Sequence, residues 1–202
     1  MALEIERRFL VSGEHWRRHC CWSQGLQQGY LMAGADGLTL RVRIASKAAA
    51  DGSAEFGPGK LGPLAAWLTF KAPVSGKAPA AGLACHEFEY PIPIADAEAM
   101  LALAPHSLRK RRYGLDLPGG DWVLDVFEGA NAPLVVAEVE LLDPQQPLAI
   151  PSWCVLELSG RHELSNAALS REPLAAWSPQ ARELLLAPLL SSGADPQGCC
   201  SN

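Results

Sequence analysis

The sequence predicts a mainly β protein whose antiparallel strands close into a barrel. Many short segments are rich in Val, Ile, Leu, Phe, Trp and Tyr, and Gly, Pro, Asp or Asn separates most of them. Within these segments charged residues recur at alternate positions, and whole strands carry charge of one sign. Because 49% of the 202 residues are hydrophobic and 19% are charged, the chain can form a core, which argues against wholesale disorder.

Nine segments have strand composition: 3–11, 27–32, 37–45, 65–72, 85–92, 107–114, 121–127, 134–142 and 154–159. Helices are predicted over 96–104, with Asp96 helping to cap its start, and over 179–190, and a short helical piece is expected after Ser12. We expect a single domain over 1–190, with a flexible insertion at 46–63 and a disordered tail at 191–202.

The charge pattern along the strands carries the functional information. Successive strand side chains point to opposite faces, so charges two residues apart share a face. The charges with this spacing are Glu4 and Glu6 with Arg8, Arg41 and Arg43, Glu87 and Glu89, Lys110 and Arg112, and Glu138 and Glu140. Each group alone fits the solvated face of a half-buried sheet. The whole set favours a shared interior, because like charges this close repel each other and an exposed surface gives no reason to repeat the arrangement.

A shared interior predicts the kind of ligand. In a closed barrel the charged faces converge, and interior charge has to be paired or neutralised. Carboxylates hold Mg²⁺ or Mn²⁺ through oxygen, and bases hold phosphate oxygens. Lys71 ends a strand of otherwise apolar or hydroxyl residues, and Asp125, inside an otherwise apolar strand, would be costly to bury without a partner. The ligand that suits so many acids and bases is a compact polyanion with its own divalent cation.

Charge and hydropathy argue against several classes of partner. A net charge of −5 argues against nucleic acid, whose binding surfaces are usually basic. No apolar run approaches the roughly 18–20 residues that span a bilayer, and the opening residues MALEIERRF show no secretory signal. The six cysteines lack CxxC spacing and are expected to be reduced thiols. We therefore expect a cytoplasmic protein with no nucleic-acid or membrane partner.

An ordered series of motifs resembles the CYTH superfamily of triphosphate tunnel metalloenzymes, especially its short bacterial members. It begins with Glu4-Ile5-Glu6-Arg7-Arg8, similar to the ExExK signature, and runs in family order to about residue 170. The further matches are Gln28-Gly29-Tyr30-Leu31, Arg41-Val42-Arg43, Thr69-Phe70-Lys71, Glu87-Phe88-Glu89, Lys110-Arg111-Arg112-Tyr113, Leu124-Asp125-Val126-Phe127-Glu128-Gly129, Ala137-Glu138-Val139-Glu140, Trp153 and Asn166. One ExExK-like string is weak support, whereas the ordered set is strong.

The resemblance implies an eight-stranded antiparallel tunnel that hydrolyses a triphosphate, most simply inorganic triphosphate, with Mg²⁺ or Mn²⁺. The implied metal ligands are Glu4, Glu6, Asp125, Glu138 and Glu140, with Glu87 and Glu89 as additional candidates. The implied phosphate-binding residues are Arg8, Arg41, Arg43, Lys71, Lys110 and Arg112, and the implied catalytic residues are Glu4, Glu6, Arg8 and Tyr30. Arg8 replaces the usual lysine, and an arginine binds phosphate bidentately but does not exchange protons near neutral pH.

Several alternatives stay open at this point. Thiamine triphosphatase, nucleoside triphosphatase and class IV-type adenylate cyclase activities share the implied fold. Such substrates need a pocket for an organic group, for which the sequence shows no residue, and this favours the smallest substrate. A non-catalytic polyphosphate or phospho-ligand binding module would keep the bases and dispense with the acids. Since members of the family are often dimers, a homodimer is a further expectation.

Overall fold

The computed structural model of the chain describes residues 3–34, 37–47, 63–73, 84–143 and 145–191. Its strands are β1 Leu3–Val11, β2 Cys20–Ala33, β3 Thr39–Lys47, β4 Pro63–Pro73, β5 Ala84–Pro91, β6 His106–Leu115, β7 Asp121–Phe127, β8 Val135–Glu140 and β9 Cys154–Glu157. Its α-helices are α1 Ile94–Leu103, α2 Asn166–Arg171 and α3 Pro179–Ser191, and its 3₁₀ turns are His15–His19, Gly129–Asn131, His162–Leu164 and Leu174–Ala176. The predicted mainly β, antiparallel architecture is confirmed.

The strands form one sheet in the order β5-β4-β3-β2-β6-β7-β8-β1-β9. One edge of β1 pairs with β8 through residues 6–10, and the other edge is shared. On that edge β5 pairs with residues 3–5 and β9 with residues 9–11. The prediction of a closed eight-stranded barrel is therefore wrong in two respects. The sheet has nine strands, and within the described residues β5 meets β1 along only the first part of an edge whose remainder is taken by β9.

Most predicted strands lie where the sequence placed them, and the differences have local causes. β2 starts at Cys20 instead of residue 27, because its polar first half pairs with β6 from Cys20 onward. α1 starts at Ile94 after Pro93, so Asp96 lies in the first turn and does not cap the helix. α2 is only six residues long and was not predicted.

Strand residues occupy both ends of the insertion that was predicted at 46–63. Ser46 and Lys47 belong to β3, where Ser46 pairs with Gly25 of β2, and Pro63 belongs to β4. Residues 48–62 and 192–202, on which the expectations of a flexible insertion and a disordered tail mainly rest, lie outside the described residues.

Three apolar clusters show where each face of the sheet is covered by apolar side chains. Phe9, Trp122 and Val139 belong to a cluster on one face, and Val42 belongs to a second cluster, which includes Ala97 of α1. The third cluster joins residues from the opposite face, including Leu10, with residues of α2 and α3. The opposite face is therefore apolar at one end, where the helices cover it, and the rest of that face carries charge.

Two further properties concern the chain as a whole. Among the described residues, no helix combines the length and apolar character that crossing a bilayer demands. The cysteines of the described part, Cys20, Cys21, Cys85 and Cys154, carry free thiols.

Candidate active site

The charged side chains that the sequence placed in a shared interior lie on one face of the sheet. Directly paired residues of neighbouring strands point to the same side. Arg8 pairs with Glu138 and Arg112 with Asp125, and Arg41 pairs with both Tyr30 and Thr69. We call this side the charged face; it carries Glu6, Arg8, Tyr30, Arg41, Arg43, Thr69, Lys71, Glu87, Glu89, Lys110, Arg112, Asp125, Glu138 and Glu140.

The most deeply buried part of the charged face is an ion cluster on β6, β7 and β8. Lys110 Nζ donates to Asp125 Oδ2 at 2.5 Å, and neither side chain is exposed to solvent. Arg112 donates bidentately to Asp125, from Nε to Oδ1 at 2.8 Å and from Nη2 to Oδ2 at 2.7 Å. Arg112 Nη2 also donates to Glu138 Oε2 at 2.6 Å. Asp125 thus has the partners that a buried carboxylate in an apolar strand requires.

Burial and neighbouring charge set the protonation of this cluster. Burial lowers the pKa of Lys110 to about 8, against the opposing charge of Asp125. Burial alone would raise the pKa of Glu138, but Lys110, Arg112 and Arg8 hold that pKa far below its ordinary value. Burial raises the pKa of Glu6, and the negative charge of Glu138 raises it further. Glu138 is therefore ionised at neutral pH, and Glu6 is the more basic of the two carboxylates.

The β1–β8 side of the charged face combines buried and exposed charges. Arg8 Nε donates to Glu138 Oε1 at 3.1 Å, while Arg8 Nη2 is buried without a hydrogen-bond partner. Glu6 pairs across the strands with Glu140, whose side chain is exposed. The side chain of Glu4 lies outside the described residues; its backbone pairs with Cys85 of β5.

A second ion cluster lies on β3, β4 and β5. Arg43 Nη2 donates to both carboxylate oxygens of Glu89 at 2.8 Å. Arg41 Nη2 donates to Thr69 Oγ1 at 3.1 Å and to Glu87 Oε1 at 3.4 Å. Lys71 Nζ lies 2.8 Å from Glu87 Oε2. Carboxylates of β5 therefore hold Lys71 of the neighbouring β4 and, across β4, Arg41 and Arg43 of β3.

Lys71 and Tyr30 connect the two clusters electrostatically. After burial and Glu138, the next influence on the pKa of Glu6 is the positive charge of Lys71, which lowers it. Burial raises the pKa of the Tyr30 hydroxyl, and the charges of Arg41 and Lys71 oppose that rise. Residues from β1, β2, β3, β4 and β8 thus act on one another across a common space. Acids and bases of different strands on the charged face therefore influence one another's ionisation.

Comparison with known proteins shows which family the chain resembles over most of its length. No protein-family model matches the chain. An inorganic triphosphatase of Acetivibrio thermocellus is 28% identical over 177 residues, which cover 86% of this chain and 96% of the relative. An inorganic triphosphatase of Nitrosomonas europaea is 31% identical over 175 residues, which cover 83% of this chain and 96% of the relative. The chain belongs to the inorganic triphosphatase family.

A solved structure supports the same family. The crystal structure of an inorganic triphosphatase aligns with a TM-score of 0.51 at 28% identity, covering 84% of this chain and 95% of that one. Membership of the CYTH superfamily, inferred from the ordered motifs, is thereby confirmed.

Three polar residues contact or lie on the charged face of this inorganic triphosphatase family member. The sequence had assigned none of them a role. Thr69 is fully buried and donates from Oγ1 to Glu89 Oε2 at 2.9 Å. Asn166, the first residue of α2, accepts from Lys110 Nζ at 3.0 Å. Gln28 is buried, and its Oε1 has no hydrogen-bond partner. The sequence signal for Thr69 is its position two residues before Lys71, whereas nothing local marks Asn166 as a neighbour of Lys110.

The residues present fit a hard divalent cation in their donor chemistry. Within the described part of the chain, no group of three or more His, Cys, Asp or Glu side chains stands ready to hold a metal, and the oxygens of Asp125 and Glu138 face bases. However, Glu6 and Glu138 lie close enough for the charge of Glu138 to raise the pKa of Glu6. Carboxylate oxygens are the ligands that Mg²⁺ and Mn²⁺ prefer, and a cation between them would relieve this repulsion.

Proposed function

We propose that this protein hydrolyses inorganic triphosphate to diphosphate and phosphate with the aid of Mg²⁺ or Mn²⁺. The observation that carries the proposal is a set of six bases on the charged face. They are buried or half-buried, and carboxylates of the same face lie beside them. These bases are Arg8, Arg41, Arg43, Lys71, Lys110 and Arg112. The two inorganic triphosphatases similar to the chain over most of its length support the same activity.

The bases would bind and orient the phosphate chain. Arg8 Nη2, Arg41 Nε and Arg43 Nε are buried donors without hydrogen-bond partners. A buried donor without a partner costs roughly 1–3 kcal/mol, which a phosphate oxygen would recover. Guanidinium groups suit this task because their planar donors match the oxygens of a phosphate group. Positively charged side chains held around the phosphate chain also offset the negative charge that develops on the leaving diphosphate.

The acids on the β1–β8 side would hold the cation. We assign Glu4, Glu6, Glu138 and Glu140 to it, with Asp125 as a further ligand once its bonds to Arg112 rearrange. If bound there, Mg²⁺ or Mn²⁺ would supply positive charge that offsets the negative charge of the carboxylates and of the phosphate chain. We propose that Glu6, whose cross-strand partner Glu140 is exposed, also orients the attacking water. Tyr30, paired with Arg41 where the charged face meets the apolar cluster, would limit how far the phosphate chain enters.

Retention of the acids argues against a non-catalytic binding module. A module that only bound polyphosphate would gain affinity from bases alone, whereas here Asp125 and Glu138 are buried within the phosphate-binding set. One observation favours a substrate with an organic group: the ring of Trp67 lies on the charged face next to Arg43, where it could contact such a group. Its face is covered by the Arg43 guanidinium carbon at 5.0 Å from the ring centroid, however, which leaves inorganic triphosphate as the substrate we propose.

The proposal is tested by measuring phosphate release from inorganic triphosphate, ATP, GTP, thiamine triphosphate and longer polyphosphate with each metal. We expect the largest kcat/KM with inorganic triphosphate and no activity in EDTA. A larger kcat/KM with a nucleotide or with thiamine triphosphate would move the assignment to that substrate. Absence of phosphate release from every triphosphate would overturn the proposed function.

The substitution Glu138→Gln tests the role of the acids. It keeps the shape of the side chain and removes the charge that Arg8 and Arg112 share. We expect kcat to fall at least about 100-fold, equivalent to about 2.7 kcal/mol of transition-state stabilisation. Glu128→Gln is the control, since Glu128 pairs with Arg111 on the other face of β6. Near-normal turnover of a folded Glu138→Gln protein would contradict the assignment.

A further inference from the structure

Glu89 of β5 is surrounded by hydrogen-bond donors. Its Oε1 accepts from Arg43 Nη2 at 2.8 Å. Its Oε2 accepts from Arg43 Nη2 at 2.8 Å, from Thr69 Oγ1 at 2.9 Å and from Arg41 Nη2 at 3.5 Å. A carboxylate has about four lone-pair sites, so these contacts nearly saturate it. The carboxylate is therefore oriented by two arginines and a hydroxyl, and three of the four contacts are made by Oε2.

The neighbouring Glu87 repeats the pattern. Its two oxygens lie 3.4 Å from Arg41 Nη2 and 2.8 Å from Lys71 Nζ. Glu87 and Glu89 thus form ion pairs with the same guanidinium and ammonium groups that a phosphate chain would bind. Thr69 fixes this geometry, because it is fully buried and contacts both Arg41 and Glu89.

The occupation by glutamate is incomplete. Arg41 Nε and Arg43 Nε stay buried without a hydrogen-bond partner. The charge of Arg41 is also the second cause, after burial, that lowers the pKa of Arg43, to about 10. Hence two carboxylates neutralise this wall of the site only in part, and a multiply charged anion can still compete for its donors.

We propose that Glu89 is an internal counterion of the proposed triphosphatase site. It lowers the affinity of Arg41 and Arg43 for short phosphates and so allows the diphosphate product to leave. At the effective dielectric constant of a protein surface, the repulsion between two unit charges a few ångströms apart exceeds the thermal energy. One glutamate charge is therefore large enough to set how tightly a diphosphate is held. Glu89 belongs to this electrostatic control and not to the metal ligands, and the inference rests on the proposed function.

The test compares wild type, Glu89→Gln and Glu128→Gln by calorimetric titration. Glu128 is a matched control because its side chain is 32% exposed against 28% for Glu89 and is also paired with an arginine. Diphosphate is titrated in EDTA, and Mn²⁺ is titrated separately without any anion. We expect Glu89→Gln to bind diphosphate at least about 10-fold more tightly than wild type, with Mn²⁺ affinity within twofold of it, and Glu128→Gln to match wild type in both.

Other outcomes overturn the inference. Unchanged or weaker diphosphate binding by Glu89→Gln would show that Glu89 orients the arginines or has no electrostatic effect. A Mn²⁺ affinity reduced 10-fold would make Glu89 a metal ligand. If Glu89→Gln fails to fold, Glu87→Gln carries the same expectation. Phosphate release from inorganic triphosphate by wild type tests the proposed function independently, so the two ideas can fail separately.

Discussion

For single residues, the contribution of each charge to stability depends on how deeply its ion pair is buried. Asp125 and Lys110 are completely buried and share one hydrogen bond, and Arg112 adds two more. By contrast, Arg7 and Glu157 form a bidentate pair that is half exposed, with side-chain exposures of 23% and 43%. Breaking a buried pair leaves an uncompensated charge, whereas an exposed pair is replaced by water.

This contrast predicts how two substitutions change stability. Asp125→Asn leaves Lys110 and Arg112 without their shared charge, and we expect it to lower the free energy of unfolding by about 3 kcal/mol or more. Glu157→Gln removes the exposed charge and should cost less than about 1 kcal/mol. Urea denaturation of both variants measures the difference. Equal effects would show that the buried cluster is hydrated.

A thiol gives a residue-scale prediction of pH dependence. Burial raises the pKa of Cys154 on β9 to about 12. Since only the thiolate reacts, alkylation of Cys154 in the folded protein should be slow at pH 8 and accelerate as pH approaches the raised pKa. The exposed Cys21 is the internal reference, to be followed by mass spectrometry of iodoacetamide-treated protein. Equal labelling of both at pH 8 would mean that β9 opens readily from β1.

At the scale of elements, close approaches of the backbone fix how the strands of the site meet. Gly120, before β7, has φ +151°, and a Cβ there would lie 2.5 Å from the backbone oxygen of Glu140. Gly114 of β6 also has no room for a Cβ, but its obstacle is the ring of Trp22 at 2.1 Å. Trp22 is 48% exposed and can swing away, whereas the β8 backbone beside the site cannot.

These two glycines give an element-scale prediction. Gly120→Ala should lower the free energy of unfolding by about 1–3 kcal/mol, the usual cost of a strained backbone, and should disturb the position of Glu140. Gly114→Ala should cost less and shift the tryptophan fluorescence as Trp22 becomes more exposed. Thermal unfolding and emission spectra check both. A larger loss of stability in Gly114→Ala would show that Trp22 is fixed in place.

At the scale of the whole molecule, the C-terminal helices complete the apolar end of the charged face. Leu185 of α3 is 1% exposed and packs in the cluster that contains Leu10, Tyr30 and Phe127. Its neighbour Leu184 is 78% exposed. Leu185→Ala should therefore lower the free energy of unfolding by about 2–5 kcal/mol, as for other buried leucines. Leu184→Ala is the matched control and should stay within about 0.5 kcal/mol of wild type. Similar values for both would mean that α3 does not pack on the sheet in solution.

Local sequence patterns were sufficient to predict the strands and the shared charged face. Strand side chains alternate between faces, so Arg41 with Arg43 and Lys110 with Arg112 had to point the same way once each segment was a strand. The ordered motifs also identified the superfamily, which the two related triphosphatases bear out. The nine strand segments were recognised from their composition and from the turn residues between them, although the resemblance implied eight strands.

Which charges are partners, and where the sheet ends, depend on the packing of distant strands. Pairing depends on strand order and register, which place Glu89 against Thr69 and Asp125 against Arg112, and no local pattern encodes either. The division of one β1 edge between β5 and β9 has the same origin, as does the contact of Asn166 with Lys110 across 56 residues of chain. Alternation is a property of one strand, whereas pairing is a property of two strands brought together by the packing of all the others.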